Sequence, residues 1–415
     1  MLKPHVLSAL GYKLEEDGVV TPTVEAEVSA SVEVTPEQQE AIDEAVTQIE
    51  EVATAGAELE EAVTQQEEVE EAEATLMAIA DNLRTYGQLP QQMYDFLHKT
   101  GYLAVIAAAQ STAMNRVQYP AVESINPTAL NRQVVDGIIA GCEAMMEGAG
   151  ARVREFLKKI WDKIVELWDR LVVFVLGNKS QIERLGKKCS DARGSGSFDS
   201  SAKYNPRMMG AAQSEKVREW LNGNAKVLET AAKNFGEKSR WERLKANFDS
   251  KFMDESVDKA VRAMQDVNMD SFACNKETIG EALEITTYDK TAVTGAMSLL
   301  CSGGGMYKTA MAAVEAMKQA KSISSVAKTV GRNIDALNAE TAKNTAEKNS
   351  GGGAAGRGNA FKSSTQATAT EASKVYAKAC STFQKVCMFT IRSYIHAANV
   401  GISASGKAPK EAPAK

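Results

Sequence analysis

Three histidines, six cysteines and one glycine-rich turn are the residues of this chain best suited to chemistry. Their spacing assembles none of it. His5, His98 and His396 lie far apart, and no His-Glu-x-x-His pair sets two imidazoles on one helix face for zinc. Cys142, Cys189, Cys274, Cys301, Cys380 and Cys387 show no Cys-x-x-Cys spacing. That argues against a zinc site or a disulfide framework and for reduced, buried thiols. Ser302-Gly303-Gly304-Gly305-Met306-Tyr307-Lys308-Thr309 has the composition of a phosphate loop. Tyr307 rather than Gly precedes Lys308, however, and no strand leads in, so the segment reads as a turn between helices. Carboxylates are abundant, but no pair sits in apolar surroundings that would make one an acid and the other a base. The sequence predicts no catalytic residue, no metal and no cofactor, and a protein that is not an enzyme.

The elements that would position any site are helices. The chain has 415 residues, 44% hydrophobic, with 9 Pro and long stretches of Ala, Glu, Lys, Met and Gln, all good helix formers apart from Pro. Strict apolar–polar alternation is almost absent, so little sheet is expected. Aromatics make up 6%, which leaves a core built mainly from aliphatic side chains. The net charge of −6 hides a split: residues 14–80 hold 20 Asp and Glu and no Lys or Arg, whereas the chain from residue 74 onward is about +12. Such asymmetry marks an acidic arm joined to a basic body. The first residues lack the pattern of a secretion signal, and no apolar run is long enough for a bilayer.

Along the chain, residues 1–123 read as an acidic propeptide region, with a disordered start and helices over about 36–118. Thr35-Pro36-Glu37-Gln38 opens the first helix, a capping Thr before Pro at the first helical position. Ile42, Val46, Ile49, Val52, Leu59 and Val63 form an apolar stripe that fades in Gln65-Gln66-Glu67-Glu68-Val69-Glu70-Glu71. A solvated single helix is slightly favoured there over a coiled-coil-like arm. A break is expected near Leu89-Pro90, and Pro120 and Pro127 exclude a continuous helix between them. Residues 124–192 read as a helical domain, 193–203 as a linker, 204–349 as a second helical domain, 350–365 as a Gly-rich linker, 366–400 as a last helix and 401–415 as a flexible tail. Within the second domain, helices are predicted near 213–235, 240–267, 290–301 and 306–348. The fold class is all-α, an elongated multi-helix bundle behind an acidic, partly disordered and coiled-coil-like N-terminal propeptide.

Residues 151–176 carry the clearest amphipathic pattern. Phe156, Ile160, Trp161, Ile164 and Trp168 recur at three- and four-residue steps with Val153, Leu157, Leu167 and Leu171. Glu155 with Lys159 and Glu166 with Arg170 have the spacing of favourable pairs, and Gly177-Asn178 has the chemistry of a helix stop. Packing against neighbouring helices is favoured for this stripe. Trp161 and Trp168 beside Lys158, Lys159 and Lys163 would also suit a helix lying on a membrane surface.

Tripeptides of a small residue, any residue and Glu occur in the first part at Ser31-Val32-Glu33, Gly56-Ala57-Glu58 and Ala121-Val122-Glu123. The Trp-rich basic helix Phe156-Leu157-Lys158-Lys159-Ile160-Trp161-Asp162-Lys163-Ile164 follows them. This layout resembles the internal head proteins of phiKZ-like giant tailed phages. The resemblance covers roughly the first half of the chain. It implies a virion structural protein, made as a precursor with a dispensable acidic propeptide and cut after Glu in small-x-Glu motifs by a prohead protease. The candidate cleavage residues are then Glu33, Glu58 and Glu123. Glu123, between two prolines, and Glu33, in a structure-poor stretch, offer the extended backbone a protease needs, giving Ser124 as mature N-terminus and Val34 as an earlier one.

The partners this implies are the prohead protease, other phage head or core proteins, and packaged DNA met without sequence preference. Residues 290–415 hold 17 Lys and Arg against 6 Asp and Glu, and no recognition helix is apparent, so phosphate contact is the readout expected. The location implied is the capsid interior, with the host cytoplasm during synthesis and again on ejection. Two alternatives stand beside this: a scaffold or core protein that leaves the prohead, and an ejected effector whose 151–176 helix meets a membrane or a host partner.

Overall fold

The computed structural model describes residues 36–87, 132–192, 198–245, 251–285, 289–301, 303–320, 322–349 and 355–405. Ten α-helices lie among them: α1 Pro36–Tyr86, α2 Arg132–Ala192, α3 Ala211–Gly236, α4 Lys238–Lys245, α5 Glu255–Gln265, α6 Ile279–Ala282, α7 Lys290–Leu300, α8 Gly305–Gln319, α9 Ser322–Asn349 and α10 Ala355–Ser405. Among the described residues there is no strand, only an isolated bridge between Lys203 and Thr278, so the fold is all-α. The chain divides into two compact units, one holding Glu61–Lys159 and the other Glu33–Glu60 with Ile160–Lys415.

In the first unit, the second part of α1 and the first part of α2 each bury one face. Ala62, Gln66, Val69, Leu76, Ala80 and Leu83 are closed to solvent at alternating steps of three, four and seven residues, the spacing of a coiled-coil seam. Val135, Ile138, Cys142 and Leu157 are the buried counterparts on α2. The stripe in α1 therefore does not fade into a solvated helix. It runs through Gln66 and past Glu73. Pro36 opens α1, where a missing N–H costs nothing. Gly87 ends it in the left-handed conformation (φ 64°), its N–H on the carbonyl of Leu83 at 2.9 Å.

α2 is longer at both ends than the 151–176 stripe. It runs on through Gly177 and Asn178 to Ala192. Asn178 is buried with its amide on the Phe174 carbonyl at 2.8 Å. Ile182, Leu185 and Cys189 continue the buried face, so packing overrides the local stop signal.

In the second unit α3 packs on α8 and α9, and α10 lies against α3, α5, α7 and α8. The predicted 306–348 helix is two helices that break at Ala320, whose carbonyl takes the indole N–H of Trp168 at 2.8 Å. The predicted 240–267 helix also divides, into α4 and α5. Phe252 and Met253 dive into the core between them, and Arg240 reaches across to Asp254 at 3.2 Å. α10 begins at Ala355, inside the predicted Gly-rich linker.

Candidate functional site

The amphipathic stripe of α2 is a core element. Trp161 and Trp168 are 1% and 0% exposed, and Ile160 and Ile164 are fully buried. Trp161 donates its indole N–H to Ser373 Oγ at 3.0 Å, stacks on Tyr376 with centroids 5.5 Å apart and meets Phe235 edge-on at 4.8 Å. Trp168 stacks on Phe383 at 5.9 Å. An indole has one donor and a large apolar body, so burial with that donor satisfied is its lowest-cost setting. Phe156, in the first unit, is only half-buried, with the Lys159 ammonium 5.6 Å from its ring centroid.

The polar flank of α2 is an ordered ion network. Lys163 pairs with both Glu58 and Glu166, the latter at 2.8 Å, and Arg170 pairs with Glu166 as its spacing predicts. These hydrogen bonds hold the Glu166 carboxyl below its ordinary range and push the Lys163 ammonium up. Arg170 also donates to the Glu51 carbonyl at 3.0 Å. Lys159 turns to Gln65 at 2.9 Å instead of to Glu155. On α10, Lys385 and Ser381 both reach Glu60 at 2.6 Å. Burial alone would raise the Glu60 carboxyl, but these two partners hold it below its usual value.

This network contains one of the three candidate cleavage residues. Glu58 lies within α1, and Gly56 faces Gln384, whose Oε1 would stand 2.7 Å from a Cβ placed there. The small residue of that tripeptide thus has a packing role, close approach of α1 to α10. Glu33 and Glu123 lie outside the described residues. Of the histidines, His5 and His98 do too. His396 is a half-buried acceptor for the Asn205 backbone N–H at 3.1 Å; burial lowers its pKa. All six cysteines are buried. Among the described residues no three His, Cys, Asp or Glu side chains converge as a metal site would need, and no helix is long and apolar enough to cross a membrane.

Sequence reasoning missed the other half of the stripe's environment. Ser373, Tyr376 and Phe383 stand about two hundred residues away on α10. Their own three- and seven-residue spacing was the available signal, but nothing in it names α2 as partner.

Searches of curated proteins and of solved structures returned no match. A family model described as phiKZ-like phage internal head proteins matches residues 23–240. The matched range takes in α1, α2 and α3 with the tryptophan stripe, and it spans more than half of the 415 residues. On that span the chain belongs to the phiKZ-like phage internal head proteins, structural components of the virion held inside the capsid.

Proposed function

We propose that the chain is made as a precursor, trimmed during capsid maturation after small-x-Glu motifs, and packed in the head against DNA, which it meets through phosphates alone. The observation that carries this reading is the family match across the acidic arm and the tryptophan helix. The charge split supports the order of events. An acidic arm repels a polyanion before cleavage, and a basic body tolerates one afterwards.

The burial of α1 refines where cutting is tolerated. A cut after Glu33 falls before α1 and removes none of the buried residues described above. A cut after Glu58 would need a packed helix to open, because proteases take extended backbone. A cut after Glu123 leaves α1 held by the burial of Val52, Ala55 and Leu59 in the second unit and of its seam in the first. The fragment then departs only by unfolding or digestion.

Mass spectrometry of purified particles tests the reading. N-terminal peptides beginning at Val34 and at Ser124 are expected. Intact Met1–Gly11 peptides at full stoichiometry would overturn it. A reading of α2 as a lipid-docking helix would require Trp161 and Trp168 to leave Ser373 and Ala320, and nothing observed favours that.

A further inference from the structure

Many cations of the second unit hold a carboxylate: Lys163, Arg170, Arg218, Arg240, Arg262 and Lys385 are examples. Others stand exposed singly on their helices, as Lys226, Arg243, Lys259 and Lys290 do, whereas the last turns of α2 gather three. Arg184, Lys187 and Lys188 are exposed and have no ion-pair partner among the described residues. Their i, i+3, i+4 spacing puts them side by side on one face. Two acids share that part of the helix. Glu183 is held by Lys179 at 3.5 Å, and Asp191 is exposed, so positive charge remains in excess.

A second element adds to it. Tyr307 on the first turn of α8 abuts α2 so closely that a Cβ at Gly186 would lie 3.1 Å from its ring. The residues next to that contact are Lys187 on α2 and Lys308 on α8, and Lys308 is also exposed without an ion-pair partner among the described residues. α10 reaches the same place, since the Tyr394 hydroxyl bonds the Ile182 carbonyl at 3.4 Å and its ring meets Tyr307 at 6.0 Å. α8 starts here, so the partial positive charge of its amino end adds to the same field.

We propose that Arg184, Lys187, Lys188 and Lys308 form the surface that grips the phosphate backbone of duplex DNA. The proposal rests on the reading that this protein meets packaged DNA, and it names the face that does so. Cations already bound to carboxylates must break those pairs to reach a phosphate, whereas these four have none to break. They carry no sequence information, so one face can ride on any stretch of genome. Their grip weakens with salt, because each phosphate neutralised releases counterions.

The test is DNA binding by the full chain over a range of salt. The variant R184Q/K187Q/K188Q/K308Q is compared with K226Q/R243Q/K259Q/K290Q, which removes the same charge from exposed positions elsewhere in the same unit. For four lost contacts the slope of log affinity against log salt should become shallower by about 3 to 4, while the comparison variant keeps most of its slope. The exchange R184K/K187R/K188R/K308R should restore binding, and circular dichroism should show every variant helical. An unchanged slope in the first variant, or equal loss in both, overturns the proposal. So does a variant that keeps DNA binding and loses only binding to phosphatidylglycerol vesicles. If the unsubstituted chain shows no salt-dependent DNA binding, the underlying reading fails instead.

Discussion

The two units bury their faces with different materials. The first unit closes a seam of aliphatic residues interrupted by Gln66 and Glu73 and contains no tryptophan. Gln66 is 0% exposed, donates to Glu70 at 2.9 Å and leaves its buried Oε1 without a partner. Burial, with repulsion from Glu70, raises the Glu73 carboxyl above its ordinary value. The second unit holds all four tryptophans. Three of the indoles are buried with the N–H satisfied, Trp161 on Ser373, Trp168 on Ala320 and Trp241 on the Phe235 carbonyl at 2.7 Å. A satisfied polar handle fixes one arrangement, whereas an unsatisfied one costs stability and specifies little. The second unit also leaves buried amide atoms of Gln213, Asn234, Asn333 and Gln384 without a partner, so the contrast lies in what else is buried. Three satisfied indoles and several other rings are buried there, and no ring is buried among the described residues of the first unit, which is therefore expected to open first.

The largest expected effect lies in the second unit. Trp161→Asp puts an unpaired charge among Phe235, Ser373 and Tyr376 and should cost on the order of 4 kcal/mol or more, enough to abolish its near-ultraviolet dichroism and cooperative melting. A folded, monodisperse Trp161→Asp protein would break the comparison outright. Leu76→Ala in the first unit should cost about 2–5 kcal/mol and shift only the earlier of two denaturant transitions. A single transition moving as a whole would show that the units unfold as one.

Smaller effects sharpen the contrast. His396 is held neutral in the fold by burial, so the unfolded chain takes up a proton more readily. Stability of the second unit should then fall as pH drops below the ordinary histidine value of 6.5. His396→Gln should flatten that part of the profile in melts from pH 7.5 to 5. The smallest effect is a gain. Glu73→Gln should raise the midpoint of the first transition at neutral pH. The gain should vanish in acid, once the native carboxyl, with its raised pKa, is itself protonated. A loss of stability at pH 7 would mean that Glu73 has a favourable partner.

These contrasts also separate what the sequence disclosed from what it did not. The tryptophan stripe was legible because Ile160, Ile164 and Trp168 repeat the helical period beside Trp161. So was α3, whose predicted span of 213–235 lies within one or two residues of Ala211–Gly236 at each end. The seam of α1 was misjudged because Gln66 and Glu73 occupy positions where an apolar residue was expected, and burial of a polar side chain leaves no compositional trace. Gly177-Asn178 carried a real stop signal that distant packing outweighs. The break at Ala320 has no Gly or Pro to announce it. The carbonyl freed at the break takes the indole N–H of Trp168, more than a hundred residues earlier. Of the candidate cleavage residues, Glu58 illustrates the limit of a short motif: its tripeptide fits, and its helix is packed and ion-paired.

The buried cysteines make the two openings chemically countable. Cys142 is the single thiol of the first unit, and the remaining five belong to the second. Burial pushes the thiols of Cys380 and Cys387 well above their ordinary range, so the reactive thiolate is scarce while the fold holds. An alkylating reagent given in short pulses during unfolding should therefore mark molecules in steps. One label per chain appears when the first unit opens, and a burst of up to five follows when the second does. The masses of intact chains then record which unit opened and when, with no introduced probe.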